Sequence, residues 1–145
     1  MDAIDVRVAE ADAARDDAFA VRRTVFVEEQ GVDEEIEYDE HDETATHFVA
    51  YDDDEPIGAA RLREYEDGVG KVERVAVLES RRERGVGRAL METLEERAGE
   101  LGFGTLKLHS QTRAADFYRR LGYERRGDEF EEAGIPHVEM RKSLA

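Results

Sequence analysis

The chain has no cysteine, which excludes disulfides, thiolate metal sites and a covalent thioester intermediate on the protein. Lysine is scarce, with Lys71, Lys107 and Lys142 the only three among 21 basic side chains. No apolar run approaches the roughly 20 residues of a membrane-spanning helix. The N-terminal Met1-Asp-Ala-Ile-Asp5 is acidic, with no apolar h-region, so no signal peptide is expected and the sequence reads as a soluble cytoplasmic protein. Low-complexity linkers and internal repeats are missing too, and 145 residues suit one domain, 1–145, with a core of its own.

Acid is plentiful. Thirty-seven Asp and Glu give a formal net charge of -16 and a sequence pI near 4.6. That charge disfavours nucleic acid and anionic membranes as partners. The acids run along the whole chain instead of forming a tail. Many carboxylates with few lysines fit a concentrated-salt cytoplasm, where salt screens the self-repulsion.

The most informative stretch runs from Val72 to Leu90. Val72 to Val77 reads as a buried strand, a helix starts near Gly87, and a loop rich in Arg and Gly joins them. A helix N-terminus has unpaired N–H groups and a favourable dipole for anions. Gly85 and Gly87 permit close backbone approach, and Arg82, Arg84 and Arg88 add positive charge. The loop lacks the Gly-Lys-Ser/Thr ending of a nucleotide P-loop and the three-glycine dinucleotide pattern.

Around this centre the pattern predicts strands over Ile4–Ala9, Thr46–Tyr51, Ile57–Tyr65, Val69–Leu78, Thr105–Ser110, Tyr123–Glu132 and His137–Lys142. Helical spacing marks Ala11–Glu28, the segment from Gly87 to Leu101, and Ala114–Leu121. The acidic stretch Asp33–Glu43 has too little apolar content for a long element and reads as a surface loop or short helix. The order β-α-β-β-β-α-β-α-β-β implies an α/β (α+β) fold, a mixed, mostly antiparallel sheet flanked by helices on both faces.

Arg82-Glu-Arg-Gly-Val-Gly87 matches Arg/Gln-x-x-Gly-x-Gly/Ala, and Phe117-Tyr-Arg-Arg-Leu-Gly-Tyr123 matches Phe-Tyr-x-x-x-Gly-Phe with Tyr123 in the last place. With the strand before the loop, residues 72–123 resemble the GNAT N-acetyltransferase family. Arg22-Arg-Thr-Val-Phe-Val-Glu-Glu-Gln30, Tyr38-Asp-Glu-His-Asp42, His47 and Gly134-Ile-Pro-His137 resemble its ElaA/YjcF-type subgroup. The opening segment is also similar to acyl-homoserine-lactone synthases, whose chemistry nothing else here supports.

The resemblance implies an acetyl-CoA-dependent N-acetyltransferase acting without a covalent intermediate. Its acceptor would be a small-molecule primary amine; a protein N-terminus or lysine is the alternative within the enzyme class. A non-catalytic acyl-CoA-binding regulatory module is the rival outside it, and a homodimer is compatible with all three. The family places the pantetheine arm against Val75, Ala76 and Val77. The pyrophosphate goes to Arg82, Arg84, Gly85, Val86, Gly87 and Arg88, and Ala114 and Phe117 complete the cofactor site. Tyr118 would be the general acid toward the departing sulfur; alternatively it is a core residue with Ala114, Phe117 and Leu121. Glu73 would be the general base, or a surface carboxylate beside Arg74. Glu29, Gln30, His47 and His137 would line the acceptor pocket, while His109 reads as structural. The histidine spacing gives no metal signature. Arg119, Arg120, Arg125 and Arg126 either approach the 3′-phosphate of CoA or pair with surface acids.

Overall fold

One strand boundary sets the architecture: β4 (Val69–Val77) runs antiparallel to β3 (Glu55–Glu66) on one side and parallel to β5 (Thr105–Gln111) on the other. The computed structural model describes residues 4–144; residues 1–3, part of the acidic N-terminal run, and residue 145 lie outside the described residues. The other strands are β1 (Ile4–Val8), β2 (Thr46–Asp52), β6 (Glu124–Glu132) and β7 (Ile135–Ser143), in a seven-stranded sheet ordered β1-β2-β3-β4-β5-β7-β6. A parallel pair needs a crossover, and α3 (Val86–Glu100) supplies it. Short polar hairpins join β2 to β3, β3 to β4 and β6 to β7. The turn between β2 and β3 holds Asp53 and Asp54 at φ 47° and 71°, the left-handed conformation that short acidic side chains tolerate better than most.

Side-chain alternation divides the core into two layers. On one face, α3 and α4 (Ala115–Arg120) pack Leu90, Met91, Leu94, Ala115 and Tyr118 against Phe48, Ala60, Leu62, Val72, Leu106 and Leu108. On the other, α1 (Asp12–Arg22) packs Ala18 and Val21 against Val49, Tyr51, Ala59 and Ala76. The helices cover both faces, as the sequence order implied.

Two segments differ from expectation. The first helix is not one α-helix to Glu28: α1 stops at Arg22 and continues as π-helical turns over Arg23–Glu29. The acidic stretch takes the short-helix alternative, but two of its acids do not stay at the surface. It folds into α2 (Glu34–Glu37) and a 3-10 turn (Glu40–Glu43), the latter closed by an Asp39/Asp42 capping box. Its Glu37 and Asp42 are buried, facing the fully buried Arg22 and Arg61. Arg22 Nε donates to Glu37 Oε1 at 2.8 Å and its Nη1 to Asp42 Oδ1 at 2.7 Å. Arg61 Nη1 donates to Asp39 and Asp42 at 2.6 and 2.9 Å. Paired, hydrogen-bonded charge replaces apolar burial in anchoring this segment.

Candidate active site

Between Ala59 and Arg61 of β3, the partner on β4 moves from Ala76 to Glu73. Two residues of β4, Arg74 and Val75, therefore oppose Ala60 alone, a β-bulge. Within it Arg74 adopts φ 57°, a conformation costly for a residue with a side chain. Its guanidinium is tied down from the acidic segment, donating to the carbonyls of Ile36 and Glu37 at 3.3 and 3.1 Å and to Asp39 Oδ2 at 3.2 Å.

The pairing of β4 with β5 begins at Val69↔Thr105 and ends at Val72↔Leu108. Beyond that pair the strands fork, leaving one edge of β4 facing a cleft of about 1070 Å³. Val75, Ala76 and Val77 line it from β4, and Gly85, Val86, Gly87 and Arg88 from the loop and first turn of α3. Ala114, Phe117 and Tyr118 close it from the far side. All but Arg84 of the residues expected from the sequence for a pantetheine arm, a pyrophosphate and a sulfur thus share one cavity.

At its entrance, Gly85 caps α3 at φ 82°. A Cβ on Gly87 would lie 3.0 Å from Phe117 Cζ, so the glycine allows the ring of α4 to seat against the start of α3. Arg82 also lines the cleft, but its two terminal nitrogens donate to the two Glu29 oxygens at 2.7 Å each, and its Nε donates to the Val77 carbonyl at 3.0 Å. The hydrogen bonds from Arg82 hold the Glu29 carboxyl below its usual range despite partial burial. Arg84 is exposed and is not among the lining residues, contrary to expectation: it points charge at solvent from the outside of the turn. Of the second basic group only Arg120 reaches the cleft, while Arg119 pairs with Asp116 at 2.7 Å.

Tyr118 is buried, with Phe117 and Tyr123 edge-on at centroid distances of 4.9 and 5.8 Å. Burial pushes its phenol well above the ordinary value, so it meets any ligand as an uncharged O–H. No hydrogen bond among the described residues engages that hydroxyl, which leaves it free to donate into the cleft. Ring packing and an unengaged hydroxyl coexist in one side chain.

Glu73 lies on the cleft wall but is held by three cations: Arg61 Nη2 at 2.6 Å, Arg63 Nε at 2.7 Å and Lys71 Nζ at 3.2 Å. Burial works against its ionised form, yet the Arg63 hydrogen bond and the charges of Arg61 and Lys71 prevail and hold the carboxyl at about 2. Such a carboxylate is a very weak proton acceptor, so the geometry does not favour the expected general-base role. Neither is Glu73 a surface residue; it ties β3 to β4 at the fork.

The expected acceptor residues divide. His137 and Gln30 line the cleft. Glu29 lines a smaller neighbouring cavity with Gln30, Gln111 and Arg113. His47 is not brought to either: it is buried beneath α1, its Nε2 2.8 Å from the Asp42 carbonyl and its ring edge-on to Phe19 at 5.4 Å. Burial lowers its pKa. Two histidines not assigned to the site from sequence, His41 and His109, do line the cleft. Nothing in their spacing signalled it; register alone brings His109 to the first position past the fork.

An acetyltransferase (GNAT) domain model matches residues 10–144. YjcF of Bacillus subtilis, described as an uncharacterized N-acetyltransferase, is 46% identical over 127 residues, covering 87% of this chain and 90% of that protein. A crystal structure from Lactobacillus plantarum superposes with a TM-score of 0.92 at 34% identity, covering 99% of both chains. Escherichia coli ElaA shares the fold at a TM-score of 0.84 and 24% identity, over 99% of this chain and 100% of its own. Domain match, relatives and forked sheet agree, and this chain belongs to the GNAT family of N-acetyltransferases, in its YjcF/ElaA-like subgroup.

Proposed function

We propose that the cleft binds acetyl-CoA and that the chain transfers the acetyl group directly to the primary amine of a small molecule. The observation that carries this reading is the convergence at the fork. An open strand edge at Val75–Val77, the N-terminus of α3 and the Tyr118 hydroxyl all face one cavity. The open edge suits an extended, amide-bearing arm, which β-type hydrogen bonds would hold. Backbone N–H groups beside the bulge would stabilise the oxyanion that forms when the thioester carbonyl is attacked. The unpaired N–H groups of α3, with Arg82 and Arg88, would receive the pyrophosphate.

Tyr118 would donate to the sulfur as the C–S bond breaks. The departing thiol has an ordinary pKa of roughly 8.5, and an O–H that stays protonated lowers the barrier to its release. Glu73 supports the site as a permanent anion shared by Arg61, Arg63 and Lys71 at the fork. Its removal would leave three cations crowded beside the reaction centre. The acidic surface supports a second, independent reading, adaptation to concentrated salt, which strengthening of the fold with KCl in circular dichroism would check.

Calorimetric titration with acetyl-CoA, followed by thiol release in the presence of a panel of small amines, tests the reading. Binding together with amine-dependent release is expected. Binding without release for every amine would favour an acyl-CoA-binding module instead.

A further inference from the structure

With Glu73 locked by three cations, the amine needs another proton acceptor. His109 follows Leu108, the last β5 residue paired with β4. Leu106, Leu108 and Ser110 face the α3 layer, so Lys107, His109 and Gln111 face the opposite side of the sheet. That is the side occupied by Glu73, since Val72 also faces α3.

The groups around His109 are already committed, with one exception. On β4, Lys71 and Glu73 pair with each other at 3.2 Å. On β7, Glu139 stands opposite His109 but binds Lys107 at 3.4 Å and Arg141 at 2.9 Å. His137, also on β7, turns Nδ1 to the Ile135 carbonyl at 2.7 Å. The exception is Glu132 on β6, with Oε1 3.1 Å from His109 Nδ1 and Oε2 3.7 Å from His137 Nε2. The hydrogen bond from His109 holds the Glu132 carboxyl below its ordinary range. An ionised carboxylate only accepts, so the shared proton sits on His109 Nδ1. In the neutral imidazole Nε2 then carries the lone pair, and Phe130, edge-on at 4.9 Å, helps fix the ring.

We propose that His109 is the general base of acetyl transfer and that Glu132 is its positioning residue. The assignment rests on the acetyltransferase reading of the cleft. His109 Nε2 takes the extra proton of the ammonium form and passes it to water, freeing the lone pair that then bonds to the acetyl carbon. The C–S bond breaks with its electron pair on sulfur. The sulfur leaves with the Tyr118 proton, and the second proton of the nitrogen, released as the amide forms, restores the Tyr118 O–H through water, so charge and protons balance. Acid and base then approach the thioester from opposite sides of the forked sheet.

The test compares two nucleophiles: ethylamine, which is protonated at neutral pH, and hydroxylamine, which is uncharged there, each corrected for its spontaneous reaction with acetyl-CoA. His109→Gln is expected to lower kcat/KM for ethylamine about 10²-fold or more, to remove the acidic limb of its pH profile, and to leave hydroxylamine transfer much less affected. Equal losses for both nucleophiles, or no loss, would overturn the assignment. Nitrogen-15 NMR of the wild-type protein supplies a readout independent of turnover: neutral His109 is expected as the Nδ1–H tautomer, reverting toward Nε2–H in Glu132→Ala. An Nε2–H tautomer in the wild type would overturn it as well. Wild-type protein that acetylates neither nucleophile would instead contradict the transferase reading, and the base assignment would fall with it.

Discussion

Arg82 and Glu29 face each other as a two-point ion pair, each terminal nitrogen of the guanidinium 2.7 Å from a different carboxylate oxygen. The first arginine of the glycine loop is therefore already neutralised by the last π-helical residue after α1. A pyrophosphate must compete with Glu29 for it. An exposed pair of this kind contributes about 0–1 kcal/mol, so Glu29→Gln is expected to tighten acetyl-CoA binding up to about fivefold. Calorimetry on the variant checks this; weaker binding would mean that Glu29 aids the ligand instead of competing with it.

Gly87→Glu is expected to abolish acetyl-CoA binding while the chain stays folded. Its Cβ would press on Phe117 at 3.0 Å, and its carboxylate would meet the anion at the helix start. Gly85→Ala acts through the backbone, because φ 82° strains any side-chain-bearing residue, and a weaker loss is expected. Circular dichroism with calorimetry separates lost binding from lost structure.

The periodic elements could be read from the chain alone, and for a physical reason. Leu90, Leu94 and Ala98 recur at helical spacing and are fully buried, so hydropathy reports their burial directly. The glycine loop and Phe117, proposed to hold the cofactor, stood out for a similar reason: each lies in a short contiguous motif. The buried acids were not. Glu37 and Asp42 look like solvent-facing residues because their partners, Arg22 and Arg61, lie 15 and 19 positions away. The pair past the fork was not readable either. His109 and Glu132 are 23 residues apart and meet only because β7 inserts between β5 and β6.

Glu73→Gln would take from fully buried Arg61 one of its three carboxylates and from Arg63 and Lys71 the partner they share. Breaking a buried pair costs about 3–5 kcal/mol, which lowers the melting temperature by on the order of 10 °C. The same carboxylate makes stability pH-dependent. In the folded chain it stays ionised down to about 2, and in the unfolded chain only to about its ordinary 4.5. Between those values the unfolded chain binds more protons, so stability falls as pH drops through this window. His47 adds to the trend, since its folded pKa lies below the ordinary 6.5 and the unfolded chain protonates first. Urea unfolding across pH 7 to 2 measures the slope; flat stability would contradict the network.

Tyr118→Phe keeps the aromatic packing and removes the hydroxyl proposed to donate to sulfur. Turnover is expected to fall by about 10²–10⁴-fold with acetyl-CoA affinity nearly unchanged. Undiminished turnover, with chemistry shown to be rate-limiting, would leave Tyr118 a packing residue.

The most direct measurement mixes the purified chain with acetyl-CoA and a panel of small primary amines, and follows free thiol and product mass together. The account predicts thiol release in equal amounts with an acetylated amine, catalysed by the wild-type chain and lost in Gly87→Glu. Acetyl-CoA that binds in the forked cleft yet stays intact with every amine would contradict it.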